Sequence, residues 1–118
     1  MNTRLIGKRG EDIAADFLAG KGYLILERNY WAYNCEIDII AQKDDIIVFI
    51  EVKARNGNII LPRESVNKKK QLHIVNAANE FICSKLTKQD LFFYRFDIIE
   101  IYLNLKKIIH LVDAFEAT

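Results

Sequence analysis

The residues of this chain best equipped for chemistry are acids and lysines placed where apolar side chains would be expected. Glu51 and Lys53 follow directly on the apolar run Ile46-Ile47-Val48-Phe49-Ile50. Side chains alternate along a strand, so the two share a face, roughly 7 Å apart along the chain. Asp38 sits in the preceding apolar segment, between Ile37 and Ile39. With the turn centred between Asp44 and Asp45, an even-length loop sets Asp38 opposite Glu51 and Glu36 opposite Lys53, whereas an odd one shifts the pairing by a residue. Two facing carboxylates repel unless something positive lies between them. Lys53 supplies part of that charge. A divalent cation on oxygen ligands supplies more, and such a site suits Mg²⁺ or Mn²⁺.

The helical segments add to this set. Glu11 falls on the helix face that also carries Gly7, Ala14 and Leu18, so its carboxylate points toward the sheet rather than bulk water. Later in the chain, Lys70 shares a stripe with Ile74, Ala77 and Phe81, and Gln71 with Val75, Ala78 and Ile82, each one turn ahead of a core-facing surface. Glu11, Asp38, Glu51, Lys53, Lys70 and Gln71 can therefore converge on one pocket. Phosphodiester hydrolysis needs these parts: carboxylates for a metal that polarises the phosphoryl oxygen and acidifies bound water, and lysine for the charge that develops on phosphorus oxygens.

The elements that must position these residues read in order along the chain. Arg4 to Gly20 has the spacing of a helix with one buried face, and Gly22 is placed to end it. Strands are expected over Tyr23–Tyr30, Glu36–Gln42 and Ile46–Arg55, the last apolar without alternation at first, as in a central strand covered on both faces. Asn56-Gly57-Asn58 reads as a loop, and Pro62 as a break before a helix from Ser65 to Lys85. Phe92–Leu103 and Lys106–Val112 close the chain as two strands joined by a turn at Asn104. The order α-β-β-β-α-β-β predicts an α/β fold, a mixed central sheet of about five strands flanked by helices.

Composition sets the outer limits. A chain of 118 residues is read as a single domain spanning 1–118. With 51% hydrophobic and 28% charged residues it is neither disordered nor collagen-like nor a pure coiled coil. The net charge of +1 excludes a strongly basic coat protein, so any polyanion contact must come from a local patch. No apolar run approaches the ~18 residues of a membrane span. Met1 to Gly7 lacks the apolar core of a secretory signal, and Cys35 and Cys83 give neither a disulfide framework nor metal-ligand spacing. The expectation is a cytoplasmic protein with reduced thiols and no membrane partner.

Plainer roles stand beside the chemical ones. Glu51 and Lys53 can form an ordinary ion pair; their place after the apolar run, in agreement with two helix faces, favours a site. Glu36 suits a solvated or hairpin-stabilising role as well as a functional one. Lys68-Lys69-Lys70 is commonly a solvated helix start, yet lysines there oppose the helix dipole, which leaves phosphate contact open for the cluster with Arg55 and Arg63. Tyr30, Trp31 and Tyr33 suit core packing or hairpin contact, with base stacking the alternative. His73 and His110 read as a surface and a strand residue, and Arg95 and Asp97 as a structural pair.

Asp38 followed by Glu51-Val52-Lys53 at the end of an apolar strand resembles the PD-(D/E)xK nuclease signature, and the Gly10-Glu11 helix is similar to that of archaeal-type Holliday junction resolvases. Gly10-Glu11, Arg28-Asn29, Glu36 to Ile40, Val48 to Arg55, Lys70, Arg95-Phe96-Asp97 and Asp113-Ala114-Phe115 recur in the order found in the YraN-like family of uncharacterised bacterial proteins. The short signature alone is degenerate; the ordered set covers nearly the whole chain. The resemblance implies a restriction-endonuclease-like fold and an Mg²⁺- or Mn²⁺-dependent endonuclease acting on DNA, including branched or damaged DNA. It implies Asp38, Glu51 and Glu11 as metal ligands and Lys53 as the group that orients water or stabilises the transition state. Lys69, Lys70, Gln71 and Arg55 would contact substrate. Cys35 departs from the family glycine before Glu-Ile-Asp. The alternative is a nucleic-acid-binding or accessory module that keeps the fold without cutting, and a third is an interaction protein unconnected with nucleic acid. A junction resolvase would also need a symmetric homodimer.

Overall fold

The first helix, α1 (Thr3–Gly20), ends as its sequence dictates: Gly22 takes φ +90, the Gly22 amide donates to the Ala19 carbonyl and the Tyr23 amide to the Leu18 carbonyl. This paired arrangement satisfies carbonyls the helix would otherwise leave open, and glycine reaches it without steric cost. The chain then runs through β1 (Leu24–Ala32), β2 (Cys35–Lys43), β3 (Ile46–Arg55), α2 (Lys68–Lys85), β4 (Phe93–Tyr102) and β5 (Lys107–Phe115). The computed structural model describes residues 3–57, 66–87 and 91–117. The expected break at Pro62, the helix start at Ser65, Asn58 and Arg63 lie outside the described residues. Helix α2 begins at Lys68 because the Asn67 side chain accepts the Lys70 amide at 2.9 Å.

The sheet has strand order β1-β2-β3-β4-β5, antiparallel except between β3 and β4. That single parallel pair requires a crossover, which α2 provides. The expected mixed five-strand sheet is the observed one. Helix α1 covers one face, where Ala14 and Leu18 pack on Ile39, Val48, Ile50, Ile99 and Ile101. Helix α2 covers the other, where Ile74, Ala77 and Phe81 pack on Ile37, Ile40, Phe49 and Phe96. The two faces explain why Ile47 to Ile50 is apolar without alternation: all four are buried.

Strand β1 extends two residues past the expected end, to Ala32, and turns at Tyr33-Asn34 with φ of 52 and 56. Both central residues of a two-residue hairpin turn take positive φ in the form that matches strand twist. Strand β5 likewise runs on to Phe115, past Asp113 at φ 56. Its amide is held by the fully buried Asp97 carboxylate at 2.9 Å, which also accepts from Arg95 at 2.8 and 2.9 Å and meets His110 Nε2 at 2.7 Å. Arg95 and Asp97 are thus the structural pair expected, with His110 as a third member and the Tyr23 hydroxyl on Arg95 as a fourth. Among the described residues, no helix is long and apolar enough to cross a membrane.

Candidate metal centre

The β2–β3 ladder runs from Lys43 opposite Ile46 to Ile39 opposite Ile50, the register the even-length turn predicted. Past Ile39 the pairing changes character. Asp38 meets β3 through its side chain, whose Oδ2 accepts the Val52 amide at 2.7 Å. Ile37 and Ile40 belong to the same core cluster although strict alternation would send them to opposite faces, so the strand changes phase at Asp38. Opposite the change, Asn29 in β1 takes φ 54. Asparagine tolerates this left-handed conformation better than most side chains.

The phase change decides which acids meet. Glu36 does not lie opposite Lys53 in the ladder, as the sequence led us to expect. Instead the Asn29 amide donates to Glu11 at 2.8 Å and to Glu36 at 3.1 Å, tying α1, β1 and β2 together. Carboxylate oxygens of Glu11, Glu36 and Asp38 all lie within 4.8 Å of one another. Lys53 stands beside Glu100 in the parallel β3–β4 ladder, and both it and Arg55 are half-buried.

Glu51 approaches from β3. Together with Trp31, Asn34, Cys35, Glu36, Asp38, Lys70 and His73 it lines a cavity of about 380 Å³. Glu36 also lines a larger depression of about 930 Å³ that contains Glu11, Asp12, Arg28 and Asn29, so it stands at the junction of the two. Lys70 Nζ reaches Glu51 Oε1 at 3.2 Å. Gln71 turns its amide to the Val66 carbonyl at 2.7 Å, and Lys69 is exposed. The structure thus brings Glu11, Asp38, Glu51 and Lys70 toward one region; Lys53, Lys69, Gln71 and Arg55 are not among the described residues lining these two cavities.

The electrostatics follow from crowding. The Asp38 carboxyl is pushed up to about 8, first by burial and next by the Glu51 charge, with Glu11 and Glu36 adding to the effect; the Val52 hydrogen bond works against it. Burial pulls the Lys70 ammonium down, but the Glu51 charge and hydrogen bond and the Asp38 charge outweigh it, and the net direction is up. Burial raises the Cys35 thiol. Cys35 pairs with Ala32 at the start of β2, so its side chain leaves the strand pairing there intact.

These donors can be tested against a metal. Mg²⁺ binds oxygen at about 2.1 Å, so opposite ligands lie about 4.2 Å apart. Neighbouring ligands of such an ion lie about 3 Å apart, so oxygens within 4.8 Å of one another draw together by up to about 2 Å through side-chain rotation; all are hard donors, and the neighbouring carboxylates raise the Asp38 carboxyl. The residues fit a small divalent cation.

Gly10 fixes the approach of Glu11. A Cβ there would lie 2.6 Å from the Ala54 Cβ, so only glycine lets α1 come this close to β3. An ion pair between Arg28 and Asp12 at 2.7 Å fastens the same stretch to β1.

Two participants were not assigned to the site from sequence. Asn29 belonged to a recognised segment, but its type mid-strand was the sole hint of the positive φ. Glu36 was weighed evenly with a solvated role because the phase change was not legible. The aromatic cluster is divided between the two expected roles: Tyr30 packs edge-on to Phe81 at 5.4 Å, whereas Trp31 and Tyr33 are 65% and 66% exposed and belong to the hairpin, Trp31 opposite Glu36 and Tyr33 in its turn.

Residues 10–101 match the model of the uncharacterised protein family UPF0102. A UPF0102 protein of Caldicellulosiruptor bescii is 48% identical over 98% of this chain and 100% of its own length. One from Dictyoglomus thermophilum is 47% identical over 88% of this chain and 87% of its own, and one from Clostridium beijerinckii 44% over 93% and 92%.

Proposed function

The chain belongs to the UPF0102 family, the YraN-like family of the sequence resemblance, and we propose that it is a metal-dependent nuclease that hydrolyses phosphodiester bonds of DNA, branched or damaged structures included. The single observation that carries this reading is the convergence of the Glu11, Glu36 and Asp38 carboxylates within 4.8 Å, with Glu51 on the adjoining cavity wall. Burial and the neighbouring carboxylates raise the Asp38 carboxyl, a strain on its charged form that a bound cation would relieve.

In this reading Asp38, Glu11 and Glu51 hold Mg²⁺ or Mn²⁺, with Glu36 as a further ligand. Such an ion would polarise the phosphoryl oxygen and lower the pKa of bound water. Lys53 orients the attacking water or neutralises charge on the phosphoryl oxygens. Lys70 and Lys69 receive the substrate phosphates, with Arg55 beyond them. Gln71 supports the start of α2 through the Val66 carbonyl. A four-way junction carries two strands to be cut, and for that substrate the active form is a symmetric homodimer.

One observation favours the second reading, a nucleic-acid-binding or accessory module that does not cut. Lys70 sits 3.2 Å from Glu51 and so occupies the acid that a metal would need. The two readings part in a cleavage panel: labelled single-stranded, duplex and four-way-junction DNA, titrated with Mg²⁺ or Mn²⁺, with Asp38→Ala and Lys53→Ala as controls. Cleavage lost in both variants supports the nuclease. Binding without cleavage, unchanged in Asp38→Ala, supports the module.

A further inference from the structure

Trp31, an aromatic residue that the core does not use, lies on the wall of the acidic cavity. Trp31 is paired with Glu36 across β1 and β2 and lines the cavity that holds Asp38, Glu51 and Lys70. It also lines an adjoining depression of about 350 Å³ with Tyr30, Ala32, Tyr33 and Glu80. That volume falls within the range of small-ligand pockets, about 300–1,000 Å³. Trp31 is therefore the common wall between an acidic cavity and an aromatic one. An indole left 65% exposed forgoes burial that its neighbours Tyr30 and Ala32 obtain against α2. Tyr33, at the hairpin tip, holds φ 52, a conformation costly for a bulky side chain, and is equally exposed.

We propose that Trp31 is a stacking platform for an unpaired base that flanks the phosphate bound at the acidic cavity, so that the preferred substrate has a single-stranded nucleotide next to the cut. The inference rests on the nuclease reading for the phosphate and on the aromatic surface for the base. Bases stack on exposed aromatic rings irrespective of sequence, and the charge for the strand's phosphates comes from the exposed first turn of α2, Lys68 to Lys70. A base inside a closed duplex is already stacked on its neighbours and cannot use the platform, whereas a frayed end, a flap or a junction can.

The chain contains one tryptophan, so its fluorescence reports on Trp31 alone. The full chain carrying Asp38→Asn, which does not cut, is titrated in Mg²⁺ with a short DNA single strand, an abasic phosphodiester chain of equal length, and a closed duplex without unpaired bases. The single strand quenches the fluorescence, and the abasic chain and duplex do not. Trp31→Ala, made in the same background, weakens single-strand binding roughly 5- to 150-fold, and Trp31→Phe restores most of it. Equal quenching by the abasic chain, or unchanged single-strand affinity in Trp31→Ala, overturns the inference. If the unsubstituted chain cuts DNA with Mg²⁺ and Trp31→Ala leaves its preference between single strand and duplex unaltered, the nuclease reading stands and the platform falls. If the strand quenches Trp31 but the unsubstituted chain cuts nothing, the platform stands and the nuclease reading falls.

Discussion

Lys70 Nζ lies 3.2 Å from Glu51 Oε1, a lysine of α2 placed on the one site acid that the apolar central strand carries. The contact has two faces: it neutralises Glu51 in the absence of a cation, and it must be displaced or shared when one binds. Lys70→Met therefore raises Mn²⁺ affinity, measured by calorimetry, while weakening DNA binding. A lysine that merely decorates the surface would leave both unchanged.

Asn29 donates to both Glu11 and Glu36 and so holds two prospective ligands in register. Groups that orient metal ligands from outside are worth about 10- to 100-fold in affinity. Asn29→Gly keeps the positive φ at no steric cost and deletes the bridge. We expect Mn²⁺ binding to weaken by about that factor with little change in thermal midpoint; equal affinity would remove Asn29 from the site.

The Gly10 contact is steric and can be tested as such. Gly10→Ala forces α1 and β3 apart, at about 1–3 kcal/mol by urea unfolding, and withdraws Glu11 with the helix. Ala54→Gly, made in the same chain, returns most of the stability and the metal affinity. Failure of that second substitution to rescue either would show that the close approach is not what Gly10 provides.

A cation must displace the proton that burial and the neighbouring carboxylates keep on Asp38, whose folded pKa is pushed up to about 8. Below that value the proton competes, and affinity falls by about tenfold for each unit of pH if a single proton is released. Without metal the sign for stability is set by the same shift. A carboxyl raised in the folded state is protonated there while still ionised in the unfolded chain, so its unfavourable contribution grows as pH rises from about 4 toward 8. Metal-free protein is then expected to gain stability on acidification through that window, and Asp38→Asn to flatten the gain, read from urea midpoints at several pH values.

Asp97 titrates in the opposite sense. Burial raises it, but hydrogen bonds from His110, Arg95 and the Asp113 amide win, and its folded pKa lies below the ordinary one. Its stabilisation is complete above about pH 4 and is lost as pH falls through the lower, folded value. Asp97→Asn leaves Arg95 without its counter-charge at a buried position, and we expect about 3–5 kcal/mol of destabilisation at neutral pH. An unfolding midpoint within error of the parent would refute this.

Much of the fold was legible because periodicity states which faces are covered. The apolar run of β3, the stripe of α2 and the glycine after α1 each had one sensible structural reading. The register at Asp44-Asp45 followed from turn length and put Asp38 by Glu51. What stayed hidden was the phase change at Asp38, since it depends on a backbone excursion at Asn29 and on an amide of Val52 left for a side chain to accept. Consequently Glu36 was paired with the wrong strand and Asn29 given no role. Trp31 and Tyr33, read as lying past the end of the first strand, suited core packing or a hairpin contact equally, and the sequence does not reveal which side chains of the hairpin α2 leaves uncovered.

The phase change of β2 leads to a last consequence. Because the strand hands its side chains from one core to the other at Asp38, the crowded acids straddle the seam between two hydrophobic layers, each roofed by a different helix. The acids themselves come from one roof and the sheet: Glu11 arrives with α1, and Glu36 and Asp38 with β2. Ion capture at the seam would thus latch α1 to the sheet, and a chain whose first helix had not docked would lack one of its carboxylates.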